Sequence, residues 1–154
     1  MNTTDLLNRV MDAAGAPGRS HRAELEAISP GPEEVLACLD EIRGLVVRDL
    51  DGALRALDVI ALLSEALGSD AIRARLGSVR GHALNYATRF EEAIDEATRA
   101  VEIAGLIGDE VEAARAWMVL VHAYAKQGRL DNALRSALEA ERAFTEAGEL
   151  GLAV

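Results

Sequence analysis

The sequence predicts an all-α protein built as a helical solenoid, and three observations carry that expectation. First, the chain repeats itself every 40 residues. Gly81-His82-Ala83-Leu84 recurs as Val121-His122-Ala123-Tyr124, and Phe90-Glu91-Glu92-Ala93-Ile94 recurs as Leu130-Asp131-Asn132-Ala133-Leu134, with a fainter copy at Leu50-Asp51-Gly52-Ala53-Leu54. A period in this range marks units that cannot bury their apolar face alone and must stack to do so. Second, apolar residues recur at helical spacing, as in Ala93, Ala97, Ala100, Val101 and Ala104, while Glu91, Glu92, Asp95 and Glu96 fall mostly on the other face. No segment alternates with period two, so no strands are expected. Third, 50% of the 154 residues are hydrophobic but only 3% are aromatic. The core must therefore be assembled from Ala, Leu, Val and Ile, which suits close-packed helix pairs within one domain.

The elements follow in order. Thr4 to Ala14 reads as a short helix capped by Thr4, with Leu6, Leu7, Val10 and Met11 on one face. Gly15-Ala16-Pro17-Gly18 ends it, and His21 to Ile28 adds a further turn or two. Ser29-Pro30-Gly31-Pro32 is the clearest break. Pro32 suits the first turn of the next helix, whose N-terminal dipole favours Glu33 and Glu34. From there helices come in pairs: Glu33 to Val47 with Leu50 to Leu67, Asp70 to Thr88 with Phe90 to Ile107, and Glu110 to Gln127 with Leu130 to Ala147. Gly68, Gly108 and Gly148, again 40 apart, punctuate them. The expected organisation is an N-terminal helix and linker over 1–31 and a repeat domain over 32–154, divided near 32–68, 69–108 and 109–148, with a fourth repeat starting at 149–154.

Composition excludes several functions. A net charge of −10 argues against nucleic acid, whose phosphates demand clustered Lys and Arg. No apolar run approaches the roughly 20 residues that span a bilayer, and Met1 to Ala14 lacks the uninterrupted apolar stretch of a signal peptide. The expected location is the cytoplasm. Cys38 is the sole cysteine, so no internal disulfide forms, and its neighbours Val35, Leu36 and Leu39 make it a small core hydrophobe. No phosphate loop, nucleophile elbow or nucleophile–base pair is present, so no enzymatic activity is expected in this chain. His82 and His122 share a repeat position, but nothing nearby completes a tetrahedral set, so neither a metal nor a cofactor is expected.

These spacings resemble the tetratricopeptide repeat. In the third pair Trp117, Leu120, Tyr124, Gly128, Ala133 and Ala140 match the signature positions. The second pair keeps Gly81, Leu84, Phe90, Ala93 and Ala100. Gly77 departs from the family's Trp, Val121 from its Gly, the first pair keeps little beyond Ala53, and the period exceeds the usual length. This longer variety, rich in Arg and Ala, is similar to arrays in large bacterial signalling proteins. These include proteins with a CHAT peptidase-like domain after the repeats, and some transcriptional regulators. The resemblance implies a right-handed α-solenoid of three helix-turn-helix pairs behind a short N-terminal helix. It also implies protein–protein interaction, as a scaffold or sensor regulating an effector domain in the same chain. The register would start a fourth repeat after Gly148, and the chain ends one residue before the Arg that matches Arg75 and Arg115. The expectation is a piece of a longer protein whose uncapped last face can drive self-association, the alternative being a natural short protein with a frayed tail.

The resemblance also implies where a ligand sits, because the first helix of each pair lines the concave surface. The second unit then offers Arg75, Ser78, His82, Asn85 and Tyr86, and the third Arg115, Met118, His122, Ala125 and Lys126. The first offers only apolar residues, Val35, Cys38, Ile42, Leu45 and Val46, which the amphipathic segment Leu6 to Met11 would cover. The remaining groove carries three fixed cations and no carboxylate, as an acidic peptide or a C-terminal carboxylate would require. Two alternatives stay open. Arg75 and Arg115 can instead pair with Glu112 or Asp109 and hold the units in register. The whole chain can be a spacer or oligomerisation arm whose groove its own N-terminus fills.

Overall fold

The computed structural model describes residues 2–15 and 29–149. Over these residues the protein is all-α, with seven helices: α1 (Thr3–Gly15), α2 (Pro32–Leu45), α3 (Leu50–Leu67), α4 (Asp70–Tyr86), α5 (Phe90–Ile107), α6 (Glu110–Lys126) and α7 (Leu130–Glu149). The expected turns over His21 to Ile28 and the fourth repeat after Glu149 lie outside the described residues. Short connections reverse the chain, so consecutive helices pack antiparallel in series, in a repeat-like arrangement. No helix among the described residues is long and apolar enough to cross a membrane.

Local chemistry explains the boundaries. The Asp49, Ser69 and Asp109 side chains accept from the backbone N–H groups of Gly52, Ile72 and Glu112 at 3.0, 3.3 and 3.0 Å, capping α3, α4 and α6. Gly68 and Gly108 close α3 and α5 in the left-handed region, at φ 63° and 71°. Two terminal expectations fail. The α1 cap is Asn2, whose Oδ1 accepts from Asp5 N at 2.8 Å, rather than Thr4, which lies inside the helix. And α7 runs through Gly148 to Glu149, because glycine permits a left-handed stop without compelling one.

The backbones of the first helices of the pairs, α2, α4 and α6, approach in sequence, α2 on α4 and α4 on α6, whereas those of α3, α5 and α7 stay apart. The array therefore has a tight inner side and a splayed outer side. α1 packs on both α2 and α3, burying Leu6 and Val10 among Val35, Cys38, Leu39, Ile42, Leu57 and Ile60. A second cluster joins α4, α5 and α6 through Leu84, Ala93, Ile94, Ala97, Val119 and Leu120.

Two glycines set how closely α4 sits. A Cβ at Gly77 would lie 3.0 Å from both the Ala100 methyl and the Glu96 carbonyl oxygen, and one at Gly81 would lie 2.9 Å from a Val119 methyl. The third unit carries Trp117 and Val121 at these positions. Equal repeat positions thus take side chains of very different size.

Candidate functional site

The inner side holds an open cavity of about 520 Å³. α4 contributes Ser78, His82 and Asn85, and α6 contributes Arg115, Met118, His122, Ala125 and Lys126. Val119 and Val121 complete the α6 wall, Arg43 enters from α2, and Phe144 from α7 closes one side. Eight of the ten residues expected in the groove from the second and third units therefore line one cavity. Arg75 and Tyr86 do not: Arg75 turns onto acids, and Tyr86 is exposed, with its ring edge-on to His82 at 5.1 Å. α1 contributes nothing to the lining.

The expectation for the first unit requires correction. Val35, Cys38, Ile42 and Val46 are core residues at 0–1% exposure, not groove residues, and the groove residue of α2 is Arg43. The 40-residue register slips by one in α2, and one residue is a rotation of about 100°. At 39 residues the environments agree. Val35 and Ala74 are both fully buried, Val47 and Tyr86 are both exposed, and Arg43 stands where His82 stands.

The groove is also not free of carboxylates at its base. Glu112, at 1% exposure, lies behind the cavity and gathers donors from three helices. Arg75 Nε donates to it at 2.9 Å and Arg43 Nη2 at 3.2 Å. Arg115 Nη1 stands at 3.7 Å, and the Ser78 hydroxyl donates to it while accepting from Arg43 at 2.9 Å. Arg75 Nη1 also reaches Asp40 at 3.3 Å and the Leu36 carbonyl at 3.4 Å, tying α4 to α2. Burial by itself pushes the Glu112 carboxyl up, but the Ser78 hydroxyl, Arg43 and Arg75 together outweigh it and hold it below its ordinary value. Arg43 is lowered by burial, then raised in part by Glu112. His82 is lowered by burial first, then by Arg43 and His122, so it stays neutral more readily than a free histidine. The register-pairing alternative is thus what Arg75 does, whereas Arg115, 38% exposed, approaches Glu112 only within its own helix and ties no units together.

Glu112 was expected only as a pairing partner of Arg75 or Arg115, not as a buried carboxylate at the base of the groove. The available signal was its repeat counterpart 40 residues earlier, Ile72, a fully buried core residue. Phe144 carried no such signal, since only the tertiary fold brings α7 to the cavity.

The rest of the chemistry is sparse. Among the described residues no group of three or more His, Cys, Asp or Glu could hold a metal ion. The buried Cys38 thiol is pushed up to about 12, mainly by burial and further by Glu41, so it stays protonated. Asn85 Nδ2 donates to the Val119 carbonyl at 3.1 Å, while its buried Oδ1 has no partner. A second cavity of about 570 Å³ lies on the outer side around Trp117 and Tyr124, but arginine and glutamate mix along it without a dominant charge. Compared with models of protein families, with curated proteins and with solved structures, the chain matches none.

Proposed function

We propose that this chain is a tetratricopeptide-like interaction module, a right-handed array whose inner cavity receives an acidic peptide. The observation that carries the reading is local charge. In a protein of net charge −10, Arg43, Arg115, Lys126 and two histidines surround one cavity whose lining includes no carboxylate among the described residues. Guanidinium groups suit bidentate contacts to carboxylates, and a local positive field in an acidic protein steers anions to that spot. Met118, Val121 and Phe144 add an apolar wall, so the fitting peptide alternates acidic and apolar side chains. The role is binding and scaffolding rather than catalysis.

The test is fluorescence anisotropy with a synthetic peptide of alternating glutamate and leucine, and a glutamine–leucine peptide as control. Wild-type protein should bind the first and not the second. Arg115→Glu/Lys126→Glu, with unchanged circular dichroism, should lose binding. Equal affinity in wild type and double variant would sink the reading. Arg75 is the wrong residue for this test, because a carboxylate there would face Glu112 in the interior.

A second reading, an oligomerisation arm, has its own observation. Leu130, Leu134 and Leu138 form a stripe along α7 at 69, 62 and 57% exposure. Sedimentation of wild type against Leu134→Glu separates the two, since an arm that works through α7 must dissociate and a groove binder must not.

A further inference from the structure

Arg43, Ser78 and Arg115 have two roles, since they line the cavity and also hold Glu112 behind it. An incoming carboxylate therefore meets donors already engaged by a carboxylate of the protein. The geometry ranks them. Arg115 is held most loosely, at 3.7 Å with 38% of its side chain exposed, and Arg43 next, at 3.2 Å with 23%. Arg75, at 2.9 Å, lies outside the cavity and stays with Glu112 and Asp40. The backbones of α2 and α6 do not touch, so Arg43 spans from the first unit to the third through its side chain, with Ser78 of α4 beneath it.

Resting on the acidic-peptide reading, we infer that Glu112 is an internal competitor for the ligand, and that groove occupancy is coupled through Arg43 to the docking of α2. A bound anion draws Arg115 and then Arg43 away from Glu112. Arg75 and Ser78 keep the buried carboxylate satisfied, and α2 loses its tie to the third unit. Coupling is reciprocal in binding free energy. Whatever weakens the hold of Glu112 must tighten the ligand, and the ligand must loosen α2.

Three proteins test this with the glutamate–leucine peptide: wild type, Glu112→Gln and Asp40→Asn. The two variants remove the same charge beside the same arginines, one in the interior and one at the half-exposed rim. Glu112→Gln should bind at least about fivefold tighter than wild type, and Asp40→Asn should stay close to wild type. A folded Glu112→Gln with unchanged or weaker affinity overturns the inference, as does an equal gain in both variants, which would mean a general field effect. Hydrogen exchange on wild-type protein decides the matter even if Glu112→Gln does not fold. Saturating peptide should speed amide exchange across Pro32–Leu45, and slowed or unchanged exchange there overturns the coupling. No peptide binding by wild type sinks the groove reading and this inference together, whereas binding without the α2 response sinks the inference alone.

Discussion

The two ends of the array treat the same repeat position in opposite ways. Leu50 and Leu54 open α3, Phe90 and Ile94 open α5, and Leu130 and Leu134 open α7. The first two pairs pack into the apolar clusters, Ile94 to 9% exposure, while Leu130 and Leu134 stand 69 and 62% exposed. The chemistry is nearly the same, so the neighbours make the difference. The first unit is sealed by α1, which brings Leu6 and Val10 into a core of large aliphatic side chains. The last unit is closed chiefly by Ala133, Ala140, Ala143 and Ala147, which bring helices close but bury little area each. A repeat position states what a residue can bury; the adjoining unit determines whether it does.

The largest way to break this contrast is a core truncation matched across the ends. Leu57→Ala, at a fully buried site in the first unit, should cost about 3 kcal/mol in urea unfolding. Leu134→Ala should stay within about 0.5 kcal/mol of wild type. Equal losses would mean that α7 is covered in solution and would revive the oligomerisation reading.

Next comes the separation of helices within pairs. Gly77→Trp installs the residue that the third unit carries, yet even a methyl there would lie 3.0 Å from Ala100 and Glu96. The expected cost is about 3 kcal/mol, read as a lower unfolding midpoint. A neutral result would show that α4 and α5 can move apart to admit the indole.

Smaller again is the effect of Glu112, which links the two ends through Arg43 and Arg75. Glu112→Ala leaves those guanidinium groups with only Asp40 at the half-exposed rim, and because they are themselves partly exposed the cost should be about 2 kcal/mol. Its pH dependence has a definite sign. The carboxyl is held below its ordinary value in the folded protein. Its stabilisation is therefore complete above the ordinary carboxylate range and is lost as the pH falls through the folded value. A series of thermal midpoints should drop more steeply with acid in wild type than in Glu112→Gln; parallel curves would remove Glu112 from the account.

The smallest expected effect is a gain. Thr88 takes φ 59° at the position where the next unit has Gly128 at φ 74°. A β-branched residue is strained there, so Thr88→Gly should stabilise by about 1 kcal/mol. A loss would mean that the threonine makes compensating contacts.

Most of the helix boundaries were legible in the sequence, because capping residues and glycines act within one turn of themselves. Asp49, Ser69, Gly68 and Gly108 all end or begin helices where local chemistry demands it. The grouping of Ser78, His82 and Asn85 with Arg115, Met118, His122 and Lys126 came from the resemblance, and the 40-residue period keeps α4 and α6 in phase so that all of them line one cavity. That phase failed in α2, where a one-residue slip in register places Arg43 at the cavity and Val35 in the core.

By itself, then, the sequence determined the all-α class and the serial helix pairs, since propensity, capping and periodicity are short-range. Only the tertiary structure decided that Glu112 is buried among arginines from three helices, that Phe144 walls the cavity, and that Leu134 lies bare while Ile94 is covered. Burial and charge pairing depend on what other segments bring near, and residues such as Arg43 and Glu112, 69 apart in the chain, meet only when the units stack.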